Sequence, residues 1–229
     1  MSDLFAEHKN RLTELISKYR DRVDFLTIRL EQAAETNIFL RQSKIETLSE
    51  SIALGGQVRA CYRGGWGFSA FDDLSNLVER IEEAIAAAKI VGDSETILAT
   101  VEPIQTICHV PLKGSDPRNI SLANKKALCD RYDQLLRGYN DCLTTTTVSY
   151  GDSSQRIILA TSEGSLIEQS WSDMEMRFSA TARKDEAIQT GRETTGSRQA
   201  YEDLTNLDQQ VIGAAQRAVN ALSLPKIKG

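Results

Sequence analysis

The chain of 229 residues lacks several features that define whole classes of protein. None of its apolar runs approaches the ~20 residues that a membrane-spanning helix needs. It has no block of Lys and Arg, and 27 basic against 32 acidic side chains give a net charge of −5, which disfavours binding to nucleic-acid phosphates. The charged N-terminus does not have the pattern of a signal peptide. These absences predict a soluble, cytoplasmic protein that binds neither membrane nor nucleic acid directly.

Cysteine and histidine are also scarce, and their spacing excludes the common metal and redox motifs. The two histidines, His8 and His109, lie in no His-x-x-x-His or His-Glu-x-x-His frame, and a Ser-His-Asp or Cys-His site would have to use one of them. The residues therefore predict no catalytic residue and no metal ligand. The cysteines form no Cys-x-x-Cys pair and are expected to be reduced thiols of the core: Cys61, Cys108, Cys129 and Cys142.

The first module, residues 1–92, has a helix, a run of strands and a second helix. Residues 23–71 alternate with the two-residue period of strands, and the connections are too short for parallel crossovers, which predicts an antiparallel meander. Gly55-Gly56 has the composition of a turn inside this meander. An amphipathic helix follows and ends near Gly92.

A linker and a second module follow. Residues 93–119 contain three of the four prolines and show no sustained period, which indicates a domain boundary. Residues 120–229 begin with a helix capped by Ser121. A second meander with a predicted turn at Gly151-Asp152 and a final amphipathic helix complete the module.

A short internal repeat links the two modules. Residues 71–77 (FDDLSNL) and 201–207 (YEDLTNL) match in type at every position, and each precedes a long helix. Part of the match is generic, because Asp and Ser or Thr are common helix caps, so both segments could simply be good helix starts. We favour a duplicated module. The predicted fold class is α+β: two related antiparallel meanders, each with helices packed on one face.

The most unusual segment is small, polar and flanked by two arginines, over residues 189–198 (QTGRETTGSR). An ordinary mobile surface loop would have this composition. Loops on a rigid scaffold also often carry binding residues. The candidate substrate or interface residues are those of this segment together with one arginine of the first meander: Arg192, Glu193, Thr194, Thr195, Arg198 and Arg59.

Several segments resemble the TldD/PmbA family. Residues 56–60 (GQVRA) resemble the family's Gly-x-Arg strand, and residues 66–69 (WGFS) resemble its return strand. Residues 177–179 (RFS) and 191–202 (GRETTGSRQAYE) resemble the family's middle region, closer to the TldD branch than to the PmbA branch. The resemblance spans most of the chain and covers only the N-terminal region of such proteins.

The resemblance implies a cytoplasmic zinc metalloprotease, once described as a modulator of DNA gyrase. TldD-like and PmbA-like (TldE) subunits of this family pair as a heterodimer and degrade unfolded or peptide substrates. The family holds zinc with a His-Glu-x-x-x-His motif in a C-terminal domain, where two histidines bind the ion and the glutamate activates water. The present sequence has no such motif, so no zinc ligand is carried over. The chain alone is expected to be inactive.

Three functions follow as alternatives. The chain could be the N-terminal region of a TldD-type protease, contributing to dimerisation with a PmbA-like subunit or with itself, and offering sheet edges to peptide substrates. It could instead be a free-standing adaptor that binds proteins. A small-molecule enzyme built on residues 192–198 ranks last, because it lacks a credible nucleophile or base.

Overall fold

The computed structural model describes residues 4–95 and 97–224. The helices are α1 (Leu4–Tyr19), α2 (Leu77–Val91), α3 (Leu122–Arg137) and α4 (Asp208–Ala221). The strands are β1 (Phe25–Arg41), β2 (Lys44–Tyr62), β3 (Gly65–Phe71), β4 (Gln105–His109), β5 (Leu143–Thr161), β6 (Leu166–Lys184) and β7 (Ala187–Ser197). Mostly antiparallel strands with separate helices confirm the predicted α+β class. Within the described ranges, no helix is both long and apolar enough to cross a membrane.

The two halves of the chain repeat one order of elements, namely a helix, three strands and a second helix. The order α1-β1-β2-β3-α2 is followed by α3-β5-β6-β7-α4. The two related heptapeptides contribute the 3-10 turns Leu74–Asn76 and Tyr201–Leu204, each just before the long second helix. Asp73 caps its turn by accepting a hydrogen bond from the Ser75 amide at 2.8 Å, whereas Tyr201–Leu204 has no side-chain cap. The shared element order, rather than a shared cap, favours the duplicated module.

The strands form one seven-stranded sheet in the order β3-β2-β1-β5-β6-β4, with β7 also paired to β6. β7 runs antiparallel to β6 along Met174–Lys184, and β4 runs parallel to it along Leu166–Ser170. β4 lies inside the segment 93–119 that the sequence indicates as a linker. All five of its side chains are exposed, so it lacks the alternation that predicts a strand. The domain boundary over residues 93–119 stays a prediction.

Two of the predicted turns are wrong. Gly55 and Gly56 lie in the interior of β2, and Gly151 lies in the interior of β5. A Cβ on Gly56 would lie 2.1 Å from the carbonyl oxygen of Arg29. Glycine is needed there for the close approach of two backbones, a role whose sequence signature is the same as that of a turn.

The protein contains two compact units, and each is built from separated stretches of the chain. Four strands contribute residues to both units. Unit 1 comprises the described residues up to Ala33, together with Ile52–His109 and Gln155–Ser170. Unit 2 comprises Ala34–Ser51, Val110–Ser154 and the described residues from Trp171 onward. Hence β1, β2, β5 and β6 each have one portion in each unit.

The core of unit 1 is formed by α1 and α2 against β1, β2 and β3. Strand alternation turns every second side chain toward the helices, as in Leu26, Ile28 and Leu30 of β1. α2 lies directly on β3, where a Cβ on Gly67 would lie 1.9 Å from the Ala84 carbonyl oxygen.

The core of unit 2 repeats this arrangement with α3 and α4. The segment expected to be either a mobile loop or a binding loop is the strand β7, so the loop assignment is wrong. Its pairing with β6 and the packing of α4 fix its position. A Cβ on Gly191 would lie 2.1 Å from the Ala214 carbonyl oxygen and 2.6 Å from the Ala218 nitrogen. Small polar residues here form an edge strand beneath a helix.

We predict that Gly191→Ala destabilises the protein, because the new methyl group would push α4 away from β7. The expected loss is about 2–3 kcal/mol of unfolding free energy, typical of overpacked contacts. Gly213→Ala is the matched control in α4, since its Cβ would meet only the end of the Glu193 side chain at 3.4 Å. That variant should stabilise by up to about 1 kcal/mol through helix propensity. Urea unfolding of both variants measures the difference, and equal midpoints would contradict the packing described.

Candidate functional site

A polar cleft of about 570 Å³ lies in unit 2, at strands β1, β5, β6 and β7. Its lining combines charged and apolar groups, which makes it a candidate for ligand binding. Its lining residues are Glu35, Asn37, Gly151, Asp152, Ser153, Asp173, Met174, Glu175, Gly196, Ser197 and Arg198.

Glycine in two of the strands leaves the cleft open. A Cβ added to Gly151 would meet Asn37 Oδ1 at 3.7 Å and the Thr36 carbonyl oxygen at 4.0 Å, both ordinary van der Waals contacts. Gly196 is more confined, because its Cβ would lie 2.8 Å from the Met174 carbonyl oxygen. A larger side chain at position 151 would therefore fill the cleft without straining the sheet.

A buried ion pair lies at one wall. Lys125 of α3 donates to Asp152 Oδ2 at 2.6 Å and to Thr36 Oγ1 at 2.7 Å. The Lys125 and Asp152 side chains are only 2% and 3% exposed, so each charge depends on the other for compensation. Tyr150 also donates to Asp152, at 2.6 Å. Burial, followed by the contact with Asp152, raises the pKa of the Tyr150 hydroxyl, which keeps it a donor.

The rim of the cleft is predominantly acidic. Asp173 pairs with Arg198, whose pKa it raises, and Glu175 pairs with Arg177 at 2.6 Å. Glu35 is exposed and has no ion-pair partner among the described residues. This charge favours a cationic ligand group, an ammonium or a guanidinium. Its two serines have no histidine beside them in the lining, so the cleft holds no activated nucleophile.

The structure brings only one of the predicted residues, Arg198, into the cleft. Arg192 and Thr194 are exposed on β7, and Glu193 pairs with Arg217 of α4. Thr195 is half-buried on the same strand. Arg59 belongs to the other compact unit. Roles for these residues in substrate or subunit binding stay predictions.

The sequence reading missed the buried residues Lys125 and Asp152, although a signal was present. Lys125 precedes Leu128 and Cys129 at the three- and four-residue spacing of the buried face of α3. Asp152 continues the buried alternation that includes Tyr150. A charged residue at a position that the period assigns to the core indicates a buried pair.

The described residues do not fit the zinc site that the resemblance implies. In residues 4–95 and 97–224, no group of three or more His, Cys, Asp or Glu side chains could hold a metal ion. His109 lies on β4, where its Nδ1 is 2.6 Å from Ser170 Oγ. No step of a zinc-dependent reaction is therefore assigned to these residues.

The four cysteines are free thiols, and two of them are buried. Cys61 and Cys129 are buried as expected, whereas Cys108 is exposed on β4 and Cys142 is half-buried. The prediction of core thiols is wrong for Cys108, whereas Cys142 packs against the core of unit 2. Burial, with the Asp130 carboxylate nearby, raises the pKa of Cys129 to about 12, so its reactive thiolate is suppressed.

We predict that iodoacetamide at about pH 8.5 alkylates Cys108 rapidly and leaves Cys129 unmodified, since the thiolate is the reacting form. Peptide mass spectrometry of the folded protein measures both sites in one sample. Denaturation in urea before alkylation is the control and should make the two cysteines equally reactive. Rapid labelling of Cys129 in the folded protein would contradict its described burial.

We also predict that Lys125→Met costs about 3–5 kcal/mol of unfolding free energy, because it leaves the Asp152 carboxylate buried without a counter-charge. The neighbouring Lys126 is the control. Its pair with Asp130 is partly exposed, so Lys126→Met should cost no more than about 0.5 kcal/mol. Chemical denaturation compares the two, and similar losses would show that the buried pair is not coupled.

Two family models match the chain. Residues 27–89 match PmbA/TldA metallopeptidase domain 1, and residues 115–222 match the PmbA/TldA metallopeptidase central domain. The first match lies inside residues 1–92, and the second begins five residues before the module predicted over residues 120–229. Together they cover most of the chain.

The curated relatives and solved structures are about twice as long as this chain. Metalloprotease slr0863 of Synechocystis sp. is 59% identical over 224 residues, which are 98% of this chain and 48% of the relative. The crystal structure of a modulator of a DNA gyrase from Thermotoga maritima aligns with a TM-score of 0.77 and 20% identity, over 98% of this chain and 50% of the other. TldE from Thermococcus kodakarensis aligns with a TM-score of 0.71 and 17% identity, over 90% and 46%. These structures share the fold, the family models share the sequence pattern, and the chain therefore belongs to the PmbA/TldD metallopeptidase family.

Proposed function

We propose that this chain is the non-catalytic N-terminal half of a TldD-type zinc metalloprotease that acts in the cytoplasm on unfolded or peptide substrates. The observation that carries the proposal is the match to domain 1 and the central domain, over a chain that spans 48% of the Synechocystis metalloprotease. The sequence contains no His-Glu-x-x-x-His motif. The zinc ligands would then belong to the half of the longer relatives that this chain does not cover.

Within that protein, the chain would contribute to dimerisation, with a PmbA-like (TldE) subunit or with a second copy. An open stretch of β2 supports this role. β3 pairs only with Gly56–Tyr62, and the part of β2 in unit 2 carries the exposed side chains Ile45 and Leu48. Unpaired strand edges with apolar side chains accept a strand of another polypeptide.

The chain would also form part of the substrate path. The acidic cleft supports this role, because its rim carries Glu35, Asp173 and Glu175 around a single arginine, Arg198. A polypeptide substrate could place a lysine, an arginine or its terminal amine there. Substrate binding would use these charges, while bond cleavage would take place in the catalytic half.

A chimeric protein tests the proposal. This chain replaces the first half of the Synechocystis metalloprotease, and the purified protein is assayed for bound zinc and for hydrolysis of denatured casein. We expect the chimera to retain zinc and to cleave casein, and this chain alone to do neither. The chimera carrying Gly191→Ala is the matched control for a misfolded N-terminal half.

Two results would overturn the proposal. One is stoichiometric zinc, or casein cleavage, in a chelator-washed preparation of this chain alone. The other is a native product no longer than this chain in immunoblots of the source cells, which would favour the free-standing adaptor. A product of roughly twice its length agrees with the proposal.

A further inference from the structure

Arg59 lies on a face of the sheet that the helices of unit 1 do not cover. Its neighbours Val58 and Ala60 are fully buried in the core beneath the helices. Because adjacent residues of a strand point to opposite faces, Arg59 points away from those helices. On the paired strand β3, Arg59 lies opposite Phe68.

Two aromatic rings hold the guanidinium group. Its central carbon lies 5.0 Å from the ring centroid of Trp66 and 5.3 Å from that of Phe68. Phe25 packs edge-on against Trp66 at 6.0 Å. Stacking of this kind fixes the guanidinium plane and leaves its outer N–H groups able to donate. Phe68 nevertheless remains 59% exposed.

Two buried polar atoms on this face have no hydrogen-bond partner within the described residues. Arg59 forms no ion pair there, and its buried Nε has no hydrogen-bond acceptor. Thr27 lies on β1, on the same face of the sheet as Arg59, and is only 7% exposed. Its Oγ1 is also buried without a partner. By contrast, Arg177 on β6 and Arg198 directly after β7 each pair with an acidic side chain. An oriented but unpaired guanidinium is complementary to a carboxylate, which can accept two parallel hydrogen bonds from it.

We propose that Arg59, Trp66 and Phe68 form a docking site for an acidic side chain of the catalytic half of the longer protein. This inference rests on the proposed function. We assign the catalytic half as the partner that binds this site, because about half of each relative lies outside the region that this chain matches. The chemistry supplies the contact: a carboxylate pairs with Arg59, while apolar atoms beside it cover Phe68. Trp and Arg are among the residue types that most often dominate binding at protein interfaces, and Phe is enriched there.

Hydroxyl-radical footprinting tests the docking site by measuring the labelling rate of Phe68. The rate is compared between this chain alone and the chimera with the catalytic half of the Synechocystis metalloprotease. We expect labelling to be about fivefold slower in the chimera, because interface burial removes most of the exposed ring area. The protection should be independent of protein concentration.

Variants of the chimera test the role of the charge. Arg59→Gln should restore most of the Phe68 labelling, and Arg59→Lys, which keeps the charge without the planar fork, should restore part of it. Arg177→Gln is the matched control on an exposed strand position and should change nothing. Circular dichroism verifies that each variant is folded.

Three results would overturn the docking site. They are equal Phe68 labelling in the chain and the chimera, protection that Arg59→Gln leaves intact, and protection that appears only at concentrations where the chimera dimerises. The last would assign the surface to a partner subunit. Zinc content and casein cleavage of the same chimera report separately on the proposed function, so failure of one proposal is distinguishable from failure of the other.

Discussion

Direct contact between helix backbone and strand backbone is the constraint on which both halves of this protein depend. At Gly67 a Cβ would lie 1.9 Å from a carbonyl oxygen of α2, and at Gly191 it would lie 2.1 Å from one of α4. Such distances leave no room for any side chain on the strand. The helix residues at these contacts, Ala84 and Ala214, are small and fully buried. Once the helices are seated this closely, the larger apolar side chains around them have one way to pack.

The polar interior of unit 2 adds orientation to this packing. Lys125, Asp152 and Thr36 come from three separate elements and meet within hydrogen-bonding distance. Replacing a buried pair of this kind by apolar residues is often neutral for stability, so its net contribution to folding is small. The buried pair does require its three elements to adopt one relative position. That position fixes the wall of the cleft that contains Asp152. The charge pattern at the rim is therefore built on a fixed wall.

The sequence predicts the helices of this protein better than its strands, for a physical reason. A helix is defined by local features, such as the Ser121 cap, whose hydroxyl accepts from the Asn124 amide as expected. Long strands depend on partners that are distant in sequence, so glycines at positions 56 and 151 were read as turns. The family resemblance survives these errors because it rests on short motifs. Of the residues of the cleft, the sequence predicts only Arg198. Lys125 and Asp152 escape prediction because they are charged residues in positions that normally hold apolar ones.

The interleaving of the two compact units bears on the order in which the protein can fold during synthesis. Unit 1 includes Gln155–Ser170, so it stays incomplete until the ribosome has nearly reached the middle of the second module. Within it, Ser162 exchanges hydrogen bonds with Leu26, which was made 136 residues earlier. Contacts of such long range are reached slowly, and strand edges stay uncovered in the meantime. The emerging chain therefore exposes unfinished sheet edges for longer than two consecutive domains would, and molecular chaperones have a correspondingly longer interval in which to bind it.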